Sequence, residues 1–242
     1  MSYPVYQVLS RPRTGSYFIN QMCWYFSDKN KVQNLEEYFH DAKDINSYNK
    51  KLDFLFEERD KGRHYCIKFM SYSIHNPEAT LDFLKGYNVV LIKRKPWNSF
   101  LSTVYIARLK SIYGDFYPSH KNIRGEWNID FPTIDVDEKE FTLKISKKNI
   151  IEYIDKIKKC NILFNWFEKR LPNLHVFDYD LDHDIQLQNI FSKYNKNYKL
   201  IYANSVPIDI DYEKHVIDLE KTKLFFNEYL ESSYFHQRNW HL

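Results

Sequence analysis

Two turns in this sequence carry the residue types that hold anions. The first is "SRPRTGS", Ser10 to Ser16, which follows an apolar run and leads into a helix-compatible segment. Backbone N–H groups at Thr14, Gly15 and Ser16 can converge on one anion where a helix begins, and the helix dipole favours negative charge there. Gly15 permits close backbone approach. Thr14 and Ser16 add hydroxyl donors, and Arg11 and Arg13 add positive charge. The common nucleotide loop, GxxxxGK[ST], is absent, and no acidic residue stands ready for magnesium. The second turn is "KRKPWNSFLS". Arg94 ends an apolar run, and Ser102 lies eight residues later in the next helix. A turn between them can bring a guanidinium and a hydroxyl onto one phosphate, and the planar arginine fork matches phosphate oxygens.

Such turns need a scaffold that brings them to one place. "HYCIKFMSY", His64 to Tyr72, reads as a strand. Asn76 caps a helix with Pro77 at its first position and Gly86 at its stop. "NVVLIKR", Asn88 to Arg94, is a short continuous apolar run, the pattern of a strand buried on both faces. After Pro96 comes a helix that ends at Gly114. "SKKNIIEYIDKIKKCNILFNWFEKRLPN" is a long helix with Ile150, Ile154, Ile157, Asn161 and Phe164 as its buried stripe and Pro172 as its end. "HVFDYDLD", His175 to Asp182, reads as another strand and "DIQLQNIFSKY" as another helix. The polar stretch Ser27 to Lys51 reads as a surface loop with short helices, and Tyr117 to Thr142 as irregular. Alternation of strands and helices predicts an α/β fold with a parallel sheet covered on both faces. Ligands of such sheets bind at the carboxyl ends of the strands, where both basic turns fall.

The bulk numbers narrow the classes. The chain has 242 residues, 43% of them hydrophobic and 18% aromatic, a globular composition. A net charge of +3 suits an anionic ligand without calling for nucleic acid. The three cysteines have no CxxC spacing and no metal pattern, which fits a reducing compartment. No leader pattern and no apolar run of membrane-spanning length is read, so a cytoplasmic protein is expected. The expected organisation is one domain over residues 1–242, with a core at 4–190 and a tail at 200–242 packing on it. The pattern is compatible with an oligomer.

Taken together, the two turns resemble the cofactor motifs of sulfotransferases that use 3′-phosphoadenosine 5′-phosphosulfate (PAPS). "SRPRTGS" resembles their 5′-phosphosulfate loop, and "VVLIKRKPWNSFLS" their 3′-phosphate motif, with arginine and serine at the family's spacing of eight. "HVFDYDL" and the long helix before it resemble the later strand and helix. The nearest likeness is to the bacterial trehalose 2-sulfotransferase type, in which the first loop is followed by Glu-aromatic-Phe; here "NLEEYF" supplies it. The resemblance spans about residues 4 to 190. It implies a P-loop-NTPase-like three-layer fold and transfer of a sulfuryl group from PAPS to a hydroxyl of a small molecule, carbohydrate or glycolipid. It further implies that Arg13, Thr14, Gly15 and Ser16 hold the 5′-phosphosulfate beside Arg11 and Tyr17. Arg94 and Ser102 would hold the 3′-phosphate, and Glu37 would be the carboxylate base. Arg13 would also stabilise the leaving oxygen, and no metal is implied. Tyr17 is a departure, because relatives carry Ser or Thr there. No glycine-rich cofactor loop is found near the C-terminus.

Several residues have a second reading. A carboxylate base works best with its pKa raised towards neutrality. Glu36 is the base if the alignment slips by one, and His40 is a weaker choice. Lys68 reads as a strand-end lysine at the surface that would otherwise approach the sulfate. The acidic cluster of Asp178, Asp180, Asp182 and Asp184 with His183 reads as helix capping before it reads as a cation site. Trp97 would stack on adenine or pack against the sheet. Two other functions fit the same architecture: a magnesium- and ATP-dependent phosphotransferase, and a non-catalytic nucleotide-binding protein.

Overall fold

A computed structural model describes residues 4–12, 16–27, 32–113, 142–191 and 211–238, with the backbone alone at 110, 112–113 and 234–238. Arg13, Thr14 and Gly15 lie outside the described residues, as do nearly all of the segment read as irregular and the side chains of the aromatic C-terminus. The chain divides into two compact units: Met1–Arg94 with Cys160–Pro207, and Lys95–Lys159 with Ile208–Leu242.

The first unit is built on five parallel strands: β1 (Tyr6–Ser10), β2 (Val32–Glu36), β3 (His64–Met70), β4 (Asn88–Lys93) and β5 (Leu174–Asp178), in the order β2-β3-β1-β4-β5. Its helices are α1 (Ser16–Phe26), α2 (Ile45–Asp60), α3 (Pro77–Leu84), the Cys160–Glu168 part of α5 (Lys147–Glu168), and α6 (His183–Phe191). The sheet is covered on both faces, and strand alternation explains how. In β4, Val89 and Leu91 join Leu52, Leu55, Phe83 and Phe167 on one face. Val90 and Ile92 join Ile19, Met22 and Leu187 on the other. All four β4 residues are fully buried, as the continuous apolar run predicts. This is the three-layer α/β arrangement.

One buried polar side chain completes the sheet. Gln7 is fully buried in β1, one residue before pairing with β3 begins at Val8 and Lys68. Its amide Nε2 donates to the Tyr65 carbonyl at 2.7 Å, and its Oε1 accepts from the Ile67 N–H at 3.0 Å. Gln7→Leu removes both partners from the β3 backbone. It is expected to cost about 1–3 kcal/mol, read as a lower urea midpoint; an unchanged midpoint would contradict this.

The structure departs from the sequence expectations in three places. Ser27–Lys51 is not a loop with short helices: it contains all of β2 and opens the 16-residue α2. β2, "VQNLE", is an edge strand with a single buried residue, Val32, so it lacks the apolar run of a central strand. α2 buries one residue per turn, Tyr48, Leu52 and Leu55, beneath a polar face, and Asp44 starts it with a capping box to Ser47. β5 stops at Asp178 rather than Asp182, because the Asp178 carboxylate accepts from the Asp180 N–H at 3.0 Å and turns the chain. α5 ends at Glu168, four residues before Pro172, and Phe167 is buried where Asn161 is only half-buried.

The second unit contains α4 (Pro96–Tyr113), the Lys147–Lys159 part of α5, a short 3-10 turn (Glu213–His215) and α7 (Leu219–Arg238). Its core includes Trp97, Phe100, Leu101, Ile150, Ile154 and Phe226. Trp97 packs on Phe100 and Phe226 and donates its indole N–H to Glu213 at 2.7 Å. It is a buried core residue of this unit. Among the described residues, no helix is long and apolar enough to cross a membrane.

Candidate functional site

An all-parallel sheet puts the carboxyl ends of its strands on one edge, and in the first unit that edge gathers the residues able to do chemistry. Arg11 follows β1, Glu37 follows β2, Ser71 and Tyr72 follow β3, Arg94 follows β4, and Tyr179 and Asp180 follow β5. β1 leads to β2 on one side while its neighbour β4 leads to β5 on the other. The boundary between β1 and β4 is therefore the switch point at which open α/β sheets form a crevice.

Arg11 and Arg94 meet at that boundary. Arg11 is buried, and its guanidinium donates to the Arg94 carbonyl at 2.9 Å, tying the turn after β1 to the turn after β4. The Arg94 guanidinium lies 4.8 Å from the Tyr179 ring centroid, and its Nε is 4.0 Å from an Asp180 oxygen. Both partners are largely buried, so solvent screens this charge contact less than it would at the surface. α1 starts at Ser16, itself buried, and its first turn has no acidic residue to compete with an incoming anion. Tyr17 is half-buried, and burial, then the Glu36 charge, push its phenol above the ordinary value. Ser102, in α4, is buried within the second unit, whereas Arg94 belongs to the first.

Glu37 is held more tightly than an exposed helix-start acid would be. Lys68 Nζ lies 2.8 Å from its Oε1, and the Tyr72 hydroxyl donates to its Oε2 at 3.1 Å. Lys68 is not at the surface, as the sequence suggested: it is 5% exposed and points to the α1 face of β3, the face shared by Cys66. Desolvation opposes ionisation of Glu37, but the hydrogen bond and charge of Lys68, with Tyr72 and His40, outweigh it. The carboxyl is thereby held below its ordinary range. This is the opposite direction from the one that suits a carboxylate base best. Glu37 stays ionised through the neutral range, ready to accept a proton but weakly basic.

The backbone places Glu37 deliberately. A bulge between Asn34 and Glu36 breaks the pairing of β2, and Glu36 adopts a left-handed φ of 46°. Asn34 Oδ1 accepts from the Glu36 N–H at 3.1 Å and from Asn20 in α1 at 2.9 Å, holding that conformation. The Glu36 side chain is engaged separately, accepting from Gln21 at 3.1 Å. Two residues beyond Glu37, Phe39 is fully buried and stacks on Phe69 at 5.1 Å. From α2, Lys51 donates to the Tyr38 carbonyl at 2.8 Å.

Two members of the acidic cluster, Asp178 and Asp182, are spent on local structure. Asp182 accepts from the Ile185 N–H at 3.0 Å, capping α6, and Asp178 supports the turn. Among the described residues, no group of three or more His, Cys, Asp or Glu is arranged to hold a metal ion. Lys68, Tyr72, Tyr179 and Asp180 are the site residues that sequence reasoning undervalued. For Lys68 the signal was present, since a lysine between Ile67 and Phe69 in a strand's buried half requires a charged partner. No protein-family model matches the chain, and no curated protein matches it.

Proposed function

We propose that the chain transfers a sulfuryl group from PAPS to a hydroxyl of a small molecule or carbohydrate. The observation that carries this reading is the meeting of the two basic turns. Arg11 and Arg94 follow adjacent strands and are joined by a hydrogen bond at the switch point of the sheet. The resemblance assigns one turn to each of the two anionic ends of the nucleotide, and the residues present fit such a ligand. Arg11, Arg94 and the acid-free first turn of α1 lie on one edge of the sheet, where Lys68 is paired with Glu37.

When bound, PAPS supplies an activated sulfur whose leaving group is a phosphate oxygen. Glu37 takes the acceptor proton as the acceptor oxygen attacks. Because Glu37 is a weak base, most of the acceleration must come from in-line placement and from stabilising the departing oxygen. The N–H groups at the start of α1 and Arg13 fill that second role in this reading. The resemblance assigns the 3′-phosphate to Arg94 and Ser102.

Calorimetry tests the reading. Adenosine 3′,5′-bisphosphate is expected to bind without magnesium and in preference to ATP. Tight magnesium–ATP binding with no response to the bisphosphate would favour the phosphotransferase instead. Arg94→Ala and Ser102→Ala are each expected to weaken the bisphosphate by about 1.5–3 kcal/mol, and to weaken adenosine 5′-phosphate far less. Equal losses for the two ligands would remove both residues from the 3′-phosphate site.

A further inference from the structure

The two oxygens of Glu37 have different neighbours. Oε1 faces Lys68, a cation 5% exposed that comes from inside the sheet. Oε2 faces the hydroxyl of Tyr72, whose side chain stands 54% exposed two residues beyond the end of β3. A buried lysine strongly prefers to keep its charge partner, since separating the pair leaves an uncompensated ion. An exposed phenol exchanges its hydrogen bond with solvent or with another hydroxyl at little cost. One oxygen is therefore anchored and the other is exchangeable.

We propose that Lys68 is a positioning residue that fixes Glu37 through Oε1, and that the acceptor hydroxyl enters from the Tyr72 side and replaces the Tyr72 hydroxyl at Oε2. This assignment rests on the sulfotransferase reading. In the step it describes, the acceptor O–H proton passes to Oε2 and the acceptor oxygen forms a bond to sulfur. The bond between sulfur and the bridging phosphate oxygen breaks, and its electron pair leaves with adenosine 3′,5′-bisphosphate. Lys68 keeps the carboxylate in place throughout, and the arrangement favours acceptors that present a hydroxyl past an exposed aromatic ring.

Among the described residues, the groups that bear on the Glu37 charge are Lys68 from β3, Tyr72 from the turn after it and His40 from the turn after β2. The test uses the full chain and two readouts. One is the carboxyl titration of Glu37 by carbon-13 NMR, assigned with Glu37→Gln, which needs no substrate. The other is release of labelled sulfate from PAPS into water, which serves as the acceptor while the natural one is unidentified. Lys68→Met is expected to raise the Glu37 titration by about one to three pH units. It should lower sulfate release about 10–100-fold with the acid limb of the pH profile displaced upward, and Lys68→Arg should restore much of both. Tyr72→Phe is expected to raise the titration by less and to lower sulfate release by less than Lys68→Met does, because solvent can replace the phenol at Oε2.

Matching titrations in Lys68→Met and wild type would overturn the anchor. Loss of kcat in Tyr72→Phe as large as in Lys68→Met would overturn the exchange. If Lys68→Met does not fold, the exposed Tyr72→Phe and the charge-preserving Lys68→Arg still decide, since loss of sulfate release in both contradicts the scheme. A wild-type protein that neither binds adenosine 3′,5′-bisphosphate nor releases sulfate sinks the sulfotransferase reading and this role with it. A wild-type protein that does both, with variants that behave otherwise than stated, sinks this inference alone.

Discussion

Glu37→Gln is expected to lower sulfuryl transfer about 10²–10⁴-fold while adenosine 3′,5′-bisphosphate binds as it does to wild type. Glutamine has the shape of glutamate, and its amide oxygen still accepts from Lys68. It cannot take a proton. The bulge and the left-handed Glu36 turn the chain so that the next side chain meets Lys68 across the sheet edge. A hydroxyl attacks sulfur poorly until its proton has somewhere to go. Turnover of labelled PAPS and calorimetry on the same preparation separate the two effects. Full activity in the variant would move the base elsewhere. Glu36 is a poor replacement, because its carboxylate is already engaged by Gln21. Loss of bisphosphate binding would mean that Glu37 holds the nucleotide site together rather than serving the chemistry.

Phe39→Ala is expected to cost about 3–5 kcal/mol of stability and to lower transfer as well. Phe39 is fully buried, with Tyr48 at 4.5 Å and Phe69 at 5.1 Å between ring centroids. Truncating it leaves a cavity between α2 and the sheet that these rings cannot close without leaving their own packing. The side chain also anchors the turn that begins at Glu37, where the His40 N–H bonds the Glu37 carbonyl at 3.0 Å. A urea titration reads the stability, and turnover well below the transition reads the turn. Phe39→Leu keeps most of the volume and should recover most of the stability. If Phe39→Ala folds as stably as wild type, the packing argument fails. If it is destabilised but fully active in its folded fraction, Phe39 supports the sheet without orienting Glu37. This pair of variants gives the Glu-aromatic-Phe pattern a physical meaning: the glutamate is displayed because the phenylalanine is buried.

Local chemistry made much of the molecule legible in the sequence. The β4 run, the Asn76 cap with Pro77 and the long α5 each announce themselves within a dozen or so residues, because burial on both faces, capping and helical periodicity leave local signatures. β2 leaves no such signature. It is an edge strand held by register with β3 and by Asn34, so its identity depends on residues far away in the chain. The same holds for the site. The types and spacing of Arg11 and Arg94 were enough to suggest an anion, while only the resemblance pointed to Glu37 as a base. Only the parallel order of the strands decided that these residues share one edge and that Arg11 spends its guanidinium on the Arg94 carbonyl. Tertiary structure also decided the ionisation of Glu37. Its partner lies 31 positions away, in a strand that reads as ordinary, and a lysine buried there must find a carboxylate. Sequence patterns record what each segment needs, whereas the charge state of a site depends on which segments meet.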